Sequence, residues 1–152
     1  MNLNRNREIN MGSYTEIVCT DKNGNQNQFK YCRDKSEENG RIKWVFRVMP
    51  FDLNATDWFE FAITVISPTF GKVTLMNNRN MVQYRGKGIT ERMIQEAANV
   101  LGLTIISSTN IPQKKSLSTE FRSSAADVIW ERLKAKGHAT YSQEDDIYTF
   151  IG

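Results

Sequence analysis

The stretch QYRGKGITERMIQEAANVLGLTII, residues 83–106, decides the fold, because the hydrophobic period is helical at its centre and the chain returns to strand at its end. Ile89, Met93, Ile94, Ala97, Val100 and Leu101 recur at helical spacing, and Gly102 stops the helix as a glycine just past a helix end commonly does. Leu103, Thr104, Ile105 and Ile106 follow with almost no linker and read as a short apolar strand. A strand ahead of the helix runs through Val73 and Leu75, after the turn Ser67-Pro68-Thr69-Phe70-Gly71. A strand–helix–strand unit of this kind places a parallel pair in one sheet.

Upstream the period is two. Ile42, Trp44, Phe46 and Val48 alternate with Lys43, Val45, Arg47 and Met49, and Phe59, Phe61, Ile63 and Val65 repeat the pattern. Only a strand puts such a set on one face. Tyr14 to Thr20 and Gln26 to Cys32 flank Asp21-Lys22-Asn23-Gly24-Asn25, where Asn-Gly signals a tight turn. These segments predict an antiparallel meander. Downstream, the polar, Pro112-containing residues 107–118 read as a long mobile loop. A second helix is expected from a capping box of Ser124 and Asp127, with Ala125, Val128, Ile129 and Leu133 as its apolar stripe and Gly137 as its stop. Ala139 to Gln143 and Ile147 to Ile151 flank Glu144-Asp145-Asp146 as a closing hairpin. The expected fold class is α+β (mixed α/β): one domain over residues 13–152, mostly antiparallel, preceded by a polar arm over 1–12.

At 152 residues the chain has the length of one domain, and 39% hydrophobic with 24% charged residues is ordinary for a soluble globular protein. A net charge of +3 is too small to argue for a nucleic-acid partner. No apolar run approaches the roughly 20 residues needed to span a bilayer, and no charged-then-apolar leader is present, so no membrane partner and a cytoplasmic location are expected. Cys19 and Cys32 belong to no Cys-x-x-Cys pattern and read as buried free thiols, with a disulfide left open should the hairpin bring them together. No histidine–carboxylate set has metal-ligand spacing, so no metal is expected. His138, the single histidine, and Trp44, Trp58 and Trp130 read as structural or exposed residues.

The chemistry concentrates in Gln83-x-x-Gly86-x-Gly88. Glycines there free the backbone for conformations closed to other residues and let it approach a bulky anion. The helix that follows contributes unpaired N–H groups and the positive end of its dipole, which favour a phosphate. Arg85 and Lys87 add positive charge, and Thr90 offers a hydroxyl in the first turn. The loop is not a Walker motif, since its lysine lies between the glycines, and no third glycine completes a dinucleotide fingerprint.

Gln-Tyr-Arg-Gly-Lys-Gly-Ile at 83–89 resembles the pyrophosphate loop of the GNAT superfamily of N-acetyltransferases, whose pattern is Gln/Arg-x-x-Gly-x-Gly/Ala. The element order from about residue 41 onward is similar too, and Ala126-x-x-x-Trp130-Glu131-x-Leu133 is similar to that family's second helix. The resemblance implies acetyl-CoA as cosubstrate and an amine as acceptor, joined by direct transfer without a covalent enzyme intermediate. It implies a coenzyme site of Met81, Val82, Gln83, Tyr84, Arg85, Gly86, Lys87, Gly88, Ile89 and Thr90, with Asn80, Met81 and Val82 pairing with the pantetheine arm. The thioester would lie between splayed strands at 71–82 and 103–109.

The sequence departs from that pattern in two places. Trp130 stands where the family often has a proton-donating tyrosine, and Ser123 replaces the usual asparagine. An acid must then be Tyr84, Tyr141 or water, while Glu60 or Asp57 could act as base; Glu60 and Tyr84 are the catalytic candidates. Residues 21–40 read as a hairpin where the family has two helices, so the acceptor pocket is expected to be open or walled by the loop 107–120 with Lys114 and Lys115. An acyltransferase, a non-catalytic CoA-binding module and a protein-interaction module of the same fold are all compatible with these features, as is a homodimer.

Overall fold

A computed structural model describes residues 13–52, 56–77 and 81–152. Strands β1 (Thr15–Thr20), β2 (Gln26–Glu38), β3 (Arg41–Pro50), β4 (Phe59–Val65) and β5 (Phe70–Asn77) are followed by helix α1 (Ile89–Leu101), β6 (Thr104–Ile106), helix α2 (Ser124–Ala135), β7 (Ala139–Ser142) and β8 (Ile147–Phe150). They form one mixed sheet in the order β1-β2-β3-β4-β5-β6-β8-β7, with β5 and β6 as its parallel pair. The fold is α+β, as the two periods require. The polar arm expected over residues 1–12, and Asn80, lie outside the described residues.

One face of the sheet carries the core. Ile17, Phe29, Tyr31, Phe46, Val48, Phe59, Phe61 and Ile63 pack with Ile89, Met93, Ile94 and Ala97 of α1 and with Ala126, Trp130 and Leu133 of α2 in one buried cluster. The helices are bridged by an ion pair from Arg132 to Glu91 at 3.1 Å. Alternation puts Lys30, Asp34, Arg47 and Glu60 on the opposite face of β2, β3 and β4. A buried hydrogen bond from Tyr31 to Glu96, 2.5 Å long, ties β2 to α1, and burial together with that carboxylate pushes the Tyr31 hydroxyl up to about 12.

The structure corrects three local expectations. First, β2 continues to Glu38 instead of stopping at Cys32. Its distal half is too polar to show alternation, but Asn39 and Gly40 both take positive φ (53° and 77°), and this tight turn zips Glu38 against Arg41. Second, the cap of α2 is Ser123, whose hydroxyl accepts the Ala126 amide at 3.1 Å. Asp127 is drawn instead to the Arg122 guanidinium at 2.5 Å. Third, the buried stripe of α2 is Ala126, Trp130 and Leu133, while Val128 is 55% exposed. The large indole sets which way the helix faces. Cys19 and Cys32 are buried and free, as expected, and the disulfide left open does not form: Cys19 faces the core opposite Asn27, and Cys32 points to the other side of β2.

The segment after β6 is also not the loose loop expected. Lys72 and Glu120 form an ion pair at 2.9 Å with side chains 1% and 0% exposed. Glu120 further accepts the amides of Thr109 at 2.7 Å and Ser116 at 2.9 Å, and Lys72 donates to the Ser116 hydroxyl at 3.0 Å. Every charge buried there is matched, and the match fastens residues 107–120 across the sheet. We predict that Glu120→Ala, which strands the Lys72 ammonium, costs about 3–5 kcal/mol in urea denaturation. A loss below about 1 kcal/mol, the value of an exposed pair, would contradict this role.

Candidate ligand-binding site

The parallel ladder is short. Phe70, Gly71 and Lys72 of β5 pair with Thr104, Ile105 and Ile106 of β6, and there the pairing ends although β5 runs on to Asn77. Two features separate the strands. β5 carries a bulge: Ile63 and Ala62 are adjacent in β4 but pair with Val73 and Leu75, so Thr74 is an extra residue. Beyond Ile106 the chain follows β8, with the Ser107 amide donating to Tyr148 O and the Tyr148 amide to Ser107 Oγ, both at 2.9 Å. Ser108 Oγ donates to Val73 O at 2.7 Å and closes the fork. The gap is a cleft of about 290 Å³, walled by residues 73–76 of β5, Ser108, Phe121 to Ser123, and Ala126 and Trp130 of α2.

Beyond β5, the chain makes a single 3-10 turn at Val82–Tyr84 and enters α1. Gly86 and Gly88 have φ of 65° and 78°, the left-handed region that favours glycine. Their surroundings differ. A Cβ on Gly86 would meet open space, whereas one on Gly88 would overlap the Thr20 carbonyl oxygen. Gly88 thus also serves the close approach of α1 to the end of β1. No side chain caps the helix, and Arg92 N–H to Gly88 O at 3.1 Å closes its first turn. The amides of the first turn are therefore left without intrahelical acceptors, at the dipole end that carries roughly half a positive charge. Arg85 is exposed and Lys87 half-buried beside them.

Trp130 is wholly buried, stacked on Tyr148 at 5.8 Å, and it lines the cleft. Its Nε1 is, among the described residues, the buried side-chain polar atom without a hydrogen-bond partner. Leaving such a donor unmade costs about 1–3 kcal/mol. The wall beside it is otherwise saturated. Arg122 donates to Asp146 Oδ1 at 2.5 Å, to Ser108 O at 2.8 Å and to Asp146 O at 2.7 Å, and lies over the Tyr148 ring. Burial pushes the Asp146 carboxyl up, but hydrogen bonds from Arg122, the Asn110 amide and Tyr141 outweigh it and bring it down to about 2.

The sequence-derived site residues divide between these features. Gly86, Lys87, Gly88, Ile89 and Thr90 gather at the helix mouth, with Ile89 and Thr90 buried so that mainly their backbone is offered. Met81 is half-buried, and Val82 and Gln83 are exposed on the 3-10 turn. Tyr84 is not at the cleft wall. It is 2% exposed and gives its hydroxyl to Asp57 O at 2.8 Å, and burial raises its pKa. Glu60 sits on the helix-free side of β4 near Arg47 (4.0 Å) and Trp58 (3.5 Å), so the two catalytic candidates are not brought together. Tyr141 is engaged by Asp146 at 2.7 Å, Lys114 by Asp145 at 3.0 Å, and His138 by the Gly152 carbonyl at 2.9 Å. Lys115 is exposed. Sequence reasoning missed Lys72, Ser108, Glu120 and Arg122; the one local cue was Arg122 standing next to the Ser123 cap. Among the described residues no group of His, Cys, Asp and Glu is placed to hold a metal ion, and no helix is long and apolar enough to cross a membrane.

Comparison with protein-family models, with curated proteins and with solved structures finds no match.

The two glycines make separable predictions. Gly88→Ala meets both a left-handed backbone and the Thr20 carbonyl, whereas Gly86→Ala meets only the backbone term of roughly 1–2 kcal/mol. Thermal denaturation should therefore show a mild loss for Gly86→Ala and a much larger one, or failure to fold, for Gly88→Ala. Equal losses would contradict the packing of α1 on β1.

Proposed function

We propose that the chain binds an acyl-coenzyme A and transfers its acyl group to an amine. The observation that carries this reading is the splay of β5 from β6, which opens a partly apolar cleft on the same strand that leads into an uncapped, glycine-started helix. A coenzyme thioester has the matching parts: a diphosphate for the helix mouth, an extended amide-bearing arm for an unpaired strand edge, and a small acyl group for the cleft. The resemblance of Gln83-x-x-Gly86-x-Gly88 to the GNAT pyrophosphate loop supports the same reading. So do the bulge at Thr74 and the insertion of β8 between β6 and β7.

In this reading the diphosphate is held by first-turn amides and by Arg85 and Lys87, so binding comes mainly from backbone dipoles aimed before the ligand arrives. The amine attacks the thioester carbonyl, the C–N bond forms as the C–S bond breaks, and the ammonium proton leaves through a base or water. Holding the two reactants in line supplies much of the acceleration. A second reading, coenzyme binding without transfer, is favoured by the acid–base inventory. Trp130 has only an indole N–H, Tyr84 is committed to a backbone carbonyl, and Glu60 lies among Arg47 and Trp58. Release of free thiol in the presence of a panel of amines separates the two readings.

Acetyl-CoA at roughly a hundred times its Kd should stabilise the chain by about 2.7 kcal/mol, a shift of several degrees in Tm. Gly86→Asp should fold with only the backbone cost of a left-handed residue, because its Cβ meets open space, yet lose that shift by setting a carboxylate against the diphosphate. An unchanged shift in Gly86→Asp would show that the coenzyme does not sit at this loop.

A further inference from the structure

We propose that the Trp130 indole N–H donates a hydrogen bond to the carbonyl oxygen of the bound acyl group, so that Trp130 is the residue by which the cleft distinguishes an acyl-coenzyme A from free coenzyme A; this rests on the coenzyme reading above. Among the described residues, the buried side-chain donors and acceptors that line the cleft are assigned with one exception. Ser108 Oγ is spent on Val73 O, Ser123 Oγ on the Ala126 amide, and Arg122 on two carboxylates and two carbonyls. Trp130 Nε1 is left over, although buried Trp N–H groups ordinarily find a partner.

What fills that vacancy follows from chemistry. An indole nitrogen donates and cannot accept, so it selects an acceptor such as a carbonyl oxygen over an amine or hydroxyl proton. Around it, Val73, Leu75, Met76, Phe121 and Ala126 supply apolar wall, which suits a short hydrocarbon bearing one oxygen. Trp130 is fully buried, braced by Tyr148 and part of the cleft lining, so in this proposal the ligand end that meets it is the terminal one. Free coenzyme A ends in a thiol and offers no carbonyl there. The indole N–H also keeps its proton across the working pH range, so it holds and polarises the carbonyl without protonating the leaving thiolate.

The test is an NMR and calorimetric titration of the full chain with acetyl-CoA and, separately, with coenzyme A. The three tryptophans give three indole N–H signals, and Trp130 is identified by its proximity to the Tyr148 ring. Acetyl-CoA should move the Trp130 indole proton downfield and coenzyme A should not. Trp130→Phe, which keeps an aromatic ring but removes the donor, should weaken acetyl-CoA binding by about five- to tenfold and leave coenzyme A binding unchanged. Both ligands binding with the Trp130 signal unmoved, or moved equally, would overturn this role while leaving coenzyme binding intact. Binding of neither ligand would overturn the coenzyme reading and this role with it. The wild-type titration decides the matter even if the variant fails to fold.

Discussion

The structure turns on Lys72, the last residue of β5 that pairs with β6. Its ammonium is buried and must be met by a carboxylate, and Glu120, far along the chain, is the group that meets it. Bringing Glu120 there folds residues 107–120 over the sheet and spends its oxygens on the amides of Thr109 and Ser116. Ser107 is then free to join β8, and β5 continues past Val73 paired to β4 and no longer to β6, with a bulge at Thr74. The cleft is thus held open by paired charges and saturated hydrogen bonds. Replacing such a pair by apolar side chains could be neutral for stability, but breaking one partner is costly, so the fork is either intact or lost.

A second constraint sits at the other end of β5. Gly88 lets α1 begin in a left-handed turn and press against the end of β1, which no side chain would allow. Among the described residues no side chain caps the helix there, so its first amides have no intrahelical acceptor and lie at the positive end of the dipole. Glu91, the acidic residue of the first turn, is held by Arg132 of the neighbouring helix. Fold and candidate site share these residues. A change that relaxed the turn would cost stability and binding together.

Much of the architecture was legible because burial is one-sided and period therefore equals structure. Ile89 to Leu101 gave α1, and Phe59 to Val65 gave β4, at the bounds the structure has. Where polarity masks the period the reading stopped early, as in β2 beyond Cys32, whose pairing depends on the Asn39-Gly40 turn. The face of α2 was misjudged because Val128 and Trp130 are both apolar and only packing chooses between them. The helix-mouth loop could be found from its glycines. The cleft could not, because Lys72, Ser108, Glu120 and Arg122 are ordinary polar residues whose meaning comes from partners distant in sequence.

A forked strand pair, a glycine-started helix and one unpartnered buried donor are the features on which the proposed site for an extended anion ending in a carbonyl rests. Catalysis is a separate matter, since the tyrosine and glutamate that the sequence offers are engaged elsewhere. Backbone amide shift mapping with acetyl-CoA tests the central claim most directly. The account predicts that the largest changes fall on residues 73–76 of β5 and on Gly86 to Glu91 at the start of α1. Changes confined to β1–β3, or none at millimolar ligand, would contradict it.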